Sequence, residues 1–82
     1  MKTRDVVAER ILQLCDERRM ALNALAHRAA VPPSTLKSII NGASKNPGIV
    51  TLKLLCDGLG ISLFDFFDAE IFHSLEPEED IE

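Results

Sequence analysis

The chain is predicted to be all-α, a compact arrangement of five short helices. Three observations predict this. Apolar residues recur at helical spacing in one segment after another, and the period-two alternation of strands is nearly absent. The breaks between the periodic segments fall on Pro32-Pro33, on Gly42 to Gly48 and on Gly60, residues that stop or start helices. The size fits as well, because 82 residues of which 46% are apolar suffice for one core and not for two. A chain this short buries only about 60% of the surface it exposes when unfolded, so tight helix packing or self-association must carry its stability.

Each helix can be justified in turn. At about 100° per residue, the stretch Asp5–Arg19 places Val7, Ala8, Ile11, Leu14 and Cys15 on one arc, with Glu9, Gln13, Asp16 and Glu17 opposite. Thr3 is the expected N-cap and Asp5 lies in the first turn, where the helix dipole favours an acid. The second helix, Leu22–Ala30, turns Leu22, Leu25, Ala26 and Ala29 inward, although Ala21 has no side-chain oxygen with which to cap it. Val31 precedes Pro32 and is biased out of helical geometry, whereas Pro33 suits a first helical position, where a missing N–H costs nothing.

The third helix is expected over Pro33–Asn41, with Gly42 as its left-handed terminator. A turn-rich loop, Gly42–Gly48, leads to a fourth helix, Ile49–Leu59, that buries Leu52, Leu55, Cys56 and Leu59 and stops at Gly60. The fifth starts at Ser62, an N-cap with Asp65 three residues on in a capping-box pattern. It is expected to carry Leu63, Phe66 and Phe67 into the core and to run on as far as Pro77. Residues 1–68 thus form the domain and 69–82 an acidic extension, fraying at Glu78–Glu82.

Charge divides along the same boundary. The formal net charge is −4, which on its face opposes binding to nucleic acid. Residues 1–68, however, hold all nine Lys and Arg and seven acids, a net of +2, and residues 69–82 hold six acids and no base. The objection applies to the extension and hardly to the domain, which is left as a weak electrostatic binder.

The second and third helices are joined by Ala30-Val31-Pro32, a three-residue turn of the kind that makes a helix-turn-helix. With Ser34 set at 0°, Ser38 falls at about 40°, Asn41 at about 340° and Lys37 at about 300°, while Leu36, Ile39 and Ile40 fall at about 200°, 140° and 240°. One face is apolar and the other carries short hydrogen-bonding side chains and one cation, as a helix entering a DNA groove requires. Periodicity alone fits an ordinary amphipathic surface helix equally.

An ordered set of residues narrows this choice. It comprises Leu25-Ala26, Val31-Pro32-Pro33-Ser34-Thr35-Leu36, Ile39, Asn41-Gly42, Asn46-Pro47, Thr51-Leu52, Leu54-Leu55, Leu59-Gly60-Ile61-Ser62-Leu63, Asp65 and Phe67. From Glu9-Arg10-Ile11 to Phe67, roughly 60 of the 82 residues, the chain resembles the lambda-repressor-like, or XRE-type, helix-turn-helix domain of small bacterial and phage regulators. The resemblance implies a sequence-specific regulator of transcription, a repressor acting as a homodimer on double-stranded DNA, with the third helix in the major groove. Pro33, Ser34 and Ser38 would face the bases, flanked by Lys37. Thr35 and Asn41 would touch phosphates. The loop Ala43-Ser44-Lys45-Asn46 would present backbone N–H groups, Ser44 and Lys45 to the same strand. The chain departs from the family at Ala21-Leu22, where Ser or Thr followed by Gln usually holds phosphate, at Pro32 in place of a capping residue, and at Cys15 and Ile40, which stand where an Arg–Glu pair often joins the first and third helices.

Rival readings are weaker. His27 lies on the polar side of the second helix, His73 in the extension, and Cys15 on an apolar face, so no catalytic constellation forms. No phosphate-binding Gly-rich loop and no metal-ligand spacing occurs, and the sequence predicts no enzyme, no cofactor and no metal. No apolar run reaches the roughly 18–20 residues that span a bilayer, and the start, MKTRD, does not read as a signal peptide, which points to the cytoplasm. The serious competitor keeps the fold without DNA, as an antitoxin-like interaction module with a protein partner. Its motive is Ile71, Phe72 and Leu75, an apolar stripe that can cover the monomer's own core, pair two copies or dock another protein, and that serves as the expected dimerisation segment.

Overall fold

The computed structural model describes residues 1–79. Five α-helices follow in order, α1 Thr3–Glu17, α2 Leu22–Ala29, α3 Pro33–Ile40, α4 Ile49–Leu59 and α5 Leu63–Phe67, and a 3₁₀ helix over Glu70–Ser74 closes the chain. Among the described residues there is no strand. One core is built from the faces that periodicity selects. Val7, Ile11, Leu14 and Cys15 come from α1, Leu25, Ala26 and Ala29 from α2, Leu36 and Ile39 from α3, and Leu52, Leu55, Cys56 and Leu59 from α4. Phe66 of α5 lies at its centre with no exposed surface.

Three helices end by the same device, and only one of them uses glycine for it. Gly60 (φ 74°) closes α4, but Arg19 (φ 51°) closes α1 and Ala30 (φ 56°) closes α2, both in the left-handed region that L side chains avoid. In each case the next residue's N–H bonds back five positions: Met20 to Cys15, Val31 to Ala26 and Ile61 to Cys56, at 2.9–3.0 Å. At Ala30 this closure forms the turn of the helix-turn-helix. Where the resemblance implies an ion pair, Cys15 is buried and Ile40 is half-buried against the core.

Helices α2 and α4 meet most closely at Gly58. A Cβ there would lie 3.0 Å from the Ala29 Cβ and 3.1 Å from its backbone nitrogen, so Ala29 would have to give by a few tenths of an ångström. Gly58→Ala is therefore expected to destabilise the domain by about 1–2 kcal/mol, overpacking of about 1–3 kcal/mol outweighing the gain of up to about 1 kcal/mol in helix propensity. Thermal unfolding followed by circular dichroism should show a melting point lower by about 4–8 °C per kcal/mol. An unchanged melting point would mean that α2 and α4 separate at no cost.

Both ends of the chain depart from expectation. The cap of α1 is Lys2 without a side-chain bond, and Thr3 is already helical. The fifth helix does have its capping box, with Ser62 Oγ accepting from the Asp65 N–H at 3.0 Å. It stops at Phe67, however, instead of running on towards Pro77, because Asp68 (ψ 72°) and Ala69 (ψ 145°) leave helical geometry. Phe67 is not a core residue. It is 39% exposed and lies edge-on to Phe66 and Phe72, with ring centroids 5.0 and 5.1 Å away. Glu78 is not frayed, since it accepts a 2.9 Å hydrogen bond from Thr3 Oγ1, and Glu76 pairs with the Met1 amine at 2.9 Å. The rest of the expected fraying segment, 80–82, lies outside the described residues.

Candidate nucleic-acid interface

The interface begins with how α3 is held. Leu36 and Ile39 are buried on its inner side. Pro33 at the first position supplies a preset φ, and the Pro32 carbonyl accepts from the Thr35 and Leu36 N–H groups at 2.9 and 3.2 Å. The opposite side is turned outward, with Pro33, Ser34, Thr35, Lys37 and Asn41 exposed and Ser38 half-buried. The sequence-predicted residues of α3 are thus brought together on one accessible face. No side chain caps either α2 or α3, but in α3 Pro33 has no N–H and the Thr35 N–H is already given to the Pro32 carbonyl.

The loop after α3 is built differently from the expectation. The Ala43 N–H donates to Asn41 Oδ1 at 2.9 Å, and the Ser44 N–H donates to the Ser38 carbonyl at 3.0 Å. These two amides brace the loop against the end of α3 and do not face outward as donors, and the Asn41 side-chain oxygen is committed in the same way. Ser44 is half-buried, while Lys45 is exposed. Lys45 stands on the rim of an open groove of about 610 Å³, which it shares with Lys2 and Arg4 of the α1 N-terminus and with Glu78 and Glu79 of the extension. Acidic tail and basic rim therefore meet next to the α3–α4 loop. The Glu76 carboxyl is held below its usual range by its hydrogen bond to the Met1 amine and by that group's charge.

The stripe expected to pair two copies is used within the monomer. Phe72 is half-buried with its ring 6.1 Å from Phe66 and 5.1 Å from Phe67, Ile71 is half-buried, and Leu75 remains exposed. Of the large exposed apolar side chains, Ile49, Val50 and Leu54 lie on α4 and Phe64 and Phe67 on α5, Phe64 being 77% exposed, with Met1, Leu12 and Leu75 elsewhere. Helical spacing does not flag the α4 residues as a set, because they occupy the side of α4 that also carries the Lys53–Asp57 ion pair.

The thiols are buried in the core. Burial pushes both upward, with Arg18 partly opposing this at Cys15 and Asp57 adding to it at Cys56. Both are therefore protonated, inert apolar groups at neutral pH. Among the described residues no cluster of three or more His, Cys, Asp or Glu is placed to hold a metal ion, and no helix is long and apolar enough to cross a membrane.

Five helices with an α2-turn-α3 unit and a slim polar face on α3 define a helix-turn-helix domain. The model of the Cro/C1-type HTH DNA-binding domain matches residues 10–70, and the chain belongs to that family. The family is a DNA-binding domain and not a class of enzyme. Among solved structures, the chain is similar to the prophage Lp1 protein 11, with 34% identity and a TM-score of 0.79 over 92% of this chain and 100% of that one. It is also similar to the wild-type restriction-modification controller protein C.Esp1396I, with 25% identity and a TM-score of 0.73 over 84% of this chain and 85% of that one. An HTH_3 family transcriptional regulator from Vibrio cholerae shares 29% identity and a TM-score of 0.75 over 83% of this chain, which spans 38% of that longer chain. No curated protein matches the chain.

Proposed function

We propose that the protein is a DNA-binding transcriptional regulator, acting in the cytoplasm as a repressor, that binds operator DNA as a homodimer with α3 in the major groove. The observation that carries this reading is the α3 surface: Pro33, Ser34, Thr35, Lys37 and Ser38 share one accessible, carboxylate-free side, anchored from behind by buried Leu36 and Ile39. Ser34 and Ser38 are assigned to base edges, Lys37 and Lys45 to phosphates, and Thr35, Asn41 and Ser44 to supporting backbone contacts. The uncapped N-terminus of α2 supplies phosphate-binding amides where Ala21 and Leu22 lack polar side chains. Two subunits make up for the low charge by doubling the contacts over half-sites about 34 Å apart. Their contact is assigned to the exposed α4–α5 face around Val50, Leu54 and Phe64, since Phe72 of the C-terminal stripe is already engaged in its own monomer.

Selection of bound sequences from random duplex DNA tests the reading, with a twofold-symmetric site as the expected outcome. The same apolar face also suits an interaction module that has no use for DNA, and absence of any enriched site, even at low salt, would favour that alternative. The extension enters here as well. Glu78 and Glu79 line the same groove as Lys45 and would oppose phosphate there. Truncation after Leu75 is expected to tighten DNA binding, roughly fivefold at low salt and less at high salt, as for an exposed charge contact of up to about 1 kcal/mol. Fluorescence anisotropy of labelled operator checks this, and equal affinity of the two proteins would place the tail away from DNA.

A further inference from the structure

The open groove of about 610 Å³ lies between the start of α1, the α3–α4 loop and the C-terminal extension. Val7, Leu52 and Phe67 give it apolar walls, and Lys2, Arg4 and Lys45 add three cations. Among the described residues, none of these cations forms an ion pair with a carboxylate. The Arg4 Nε is buried and has no hydrogen-bond partner. A buried donor of a charged group is costly to leave unpaired, and a carboxylate is the acceptor that satisfies a guanidinium best. The chain's own acids already reach the groove. Glu78 and Glu79 line it, and Glu78 accepts from Thr3 Oγ1 at 2.9 Å. The Glu76 N–H donates to the Met1 carbonyl at 3.2 Å, which keeps this segment alongside the start of α1.

We infer that this groove is a docking site for an acidic peptide segment of a partner protein, and that residues 76–79 hold its edge until the partner arrives. The charges favour such an occupant. Three cations face two carboxylates that pair with none of them, so the groove stays positive with the tail in place. The tail is also a weak occupant, since its one side-chain bond in the groove is an exposed contact to a hydroxyl. A peptide that brings carboxylates to Arg4 and Lys45 and an apolar side chain to Val7, Leu52 and Phe67 satisfies both halves of the lining. A bare phosphate satisfies only the first. Lys45 is also assigned to DNA phosphate, so a seated peptide and DNA would exclude each other. That consequence alone rests on the proposed function; the docking site does not.

The test uses the full chain and a labelled heptapeptide, EPEEDIE, the sequence of residues 76–82, added in trans and followed by fluorescence anisotropy. The chain carrying Glu78→Gln and Glu79→Gln together should bind it saturably, with amide NMR shifts at Thr3, Val7, Lys45 and Leu52. The parent should bind it several-fold more weakly, because a groove held by its own tail lowers apparent affinity by the fraction left open. Adding Lys45→Gln to the double variant should weaken binding about fivefold, as for an exposed charge contact. Arg4→Gln should weaken it further. Lys45 is an exposed loop residue, so its variant should keep the parent's circular dichroism spectrum even if the Arg4 variant folds poorly. The heptapeptide with every acid replaced by its amide should not bind. No saturable binding by the double variant overturns the site, as does equal binding after Lys45→Gln. Displacement of the peptide by an equal concentration of inorganic phosphate would also overturn it and leave a simple anion site. None of these results depends on an enriched operator, so the docking site and the DNA-binding reading can fail separately.

Discussion

Ser34→Glu and Ser38→Glu are each expected to lower operator affinity by about two orders of magnitude while leaving the fold intact. Both side chains lie on the outward side of α3, Ser34 exposed and Ser38 half-buried, so a longer polar side chain is accommodated by solvent in the free protein. In the complex the same carboxylate would face phosphates and base acceptors, where like-charge juxtaposition costs several kcal/mol. Circular dichroism should show the helical content and melting point of the parent, with a shift of no more than about 0.5 kcal/mol in stability. Gel-shift titration on the selected operator should show no complex at concentrations that saturate the parent. Retained binding by both variants would remove α3 from the groove.

Phe64→Asp is expected to give a monomer and, as a consequence, to reduce operator affinity at least hundredfold. A phenylalanine 77% exposed on a helix five residues long contributes little to its own monomer. With Val50, 70% exposed, and Leu54 it is the kind of apolar surface that a soluble protein covers by association. A carboxylate at the centre of such a contact is desolvated without a partner. The loss on DNA follows because linking two recognition helices converts the second contact into an intramolecular one, worth roughly 10²–10⁴ in affinity. Sedimentation velocity should show a halved mass, and circular dichroism the helical content of the parent, with a melting point lowered only by the lost association. An unchanged dimer would move the interface elsewhere, with the exposed Leu75 as the next position to alter.

The helices were legible because helix starts, stops and buried arcs rest on local chemistry. The bounds of α4, Ile49–Leu59, follow directly from periodicity and Gly60, and the Ser62–Asp65 capping box is a short-range pattern. Recognition of α3 as an exposed polar face backed by Leu36 and Ile39 follows from spacing alone. What was not legible depends on contacts distant in sequence or on conformations that side chains disfavour. Ala30 and Arg19 end helices in the left-handed region without a glycine to announce it. The 3₁₀ helix at Glu70–Ser74 forms where Phe72 reaches back to Phe66 and Phe67, which no local pattern specifies. Asn41, expected at phosphate, is partly spent on its own loop, because the Ala43 amide needs an acceptor.

Arg10 shows what such distant contacts achieve. Its guanidinium donates from α1 to the last carbonyls of α5, at 2.7 Å to Phe66 and 2.8 Å to Asp65. The same helix packs on α3 through its buried face. On the proposed assignment, helix α1 touches neither the bases nor the second subunit, yet would join the element that reads DNA to the element that meets the partner copy. It works as a strut, and Arg10 is the bolt at its far end. In the proposed dimer, if that bolt loosened, each half would still recognise its own half-site, but the distance between the two halves would no longer be fixed. The operator would then be read as two separate words and not as one phrase with a set interval.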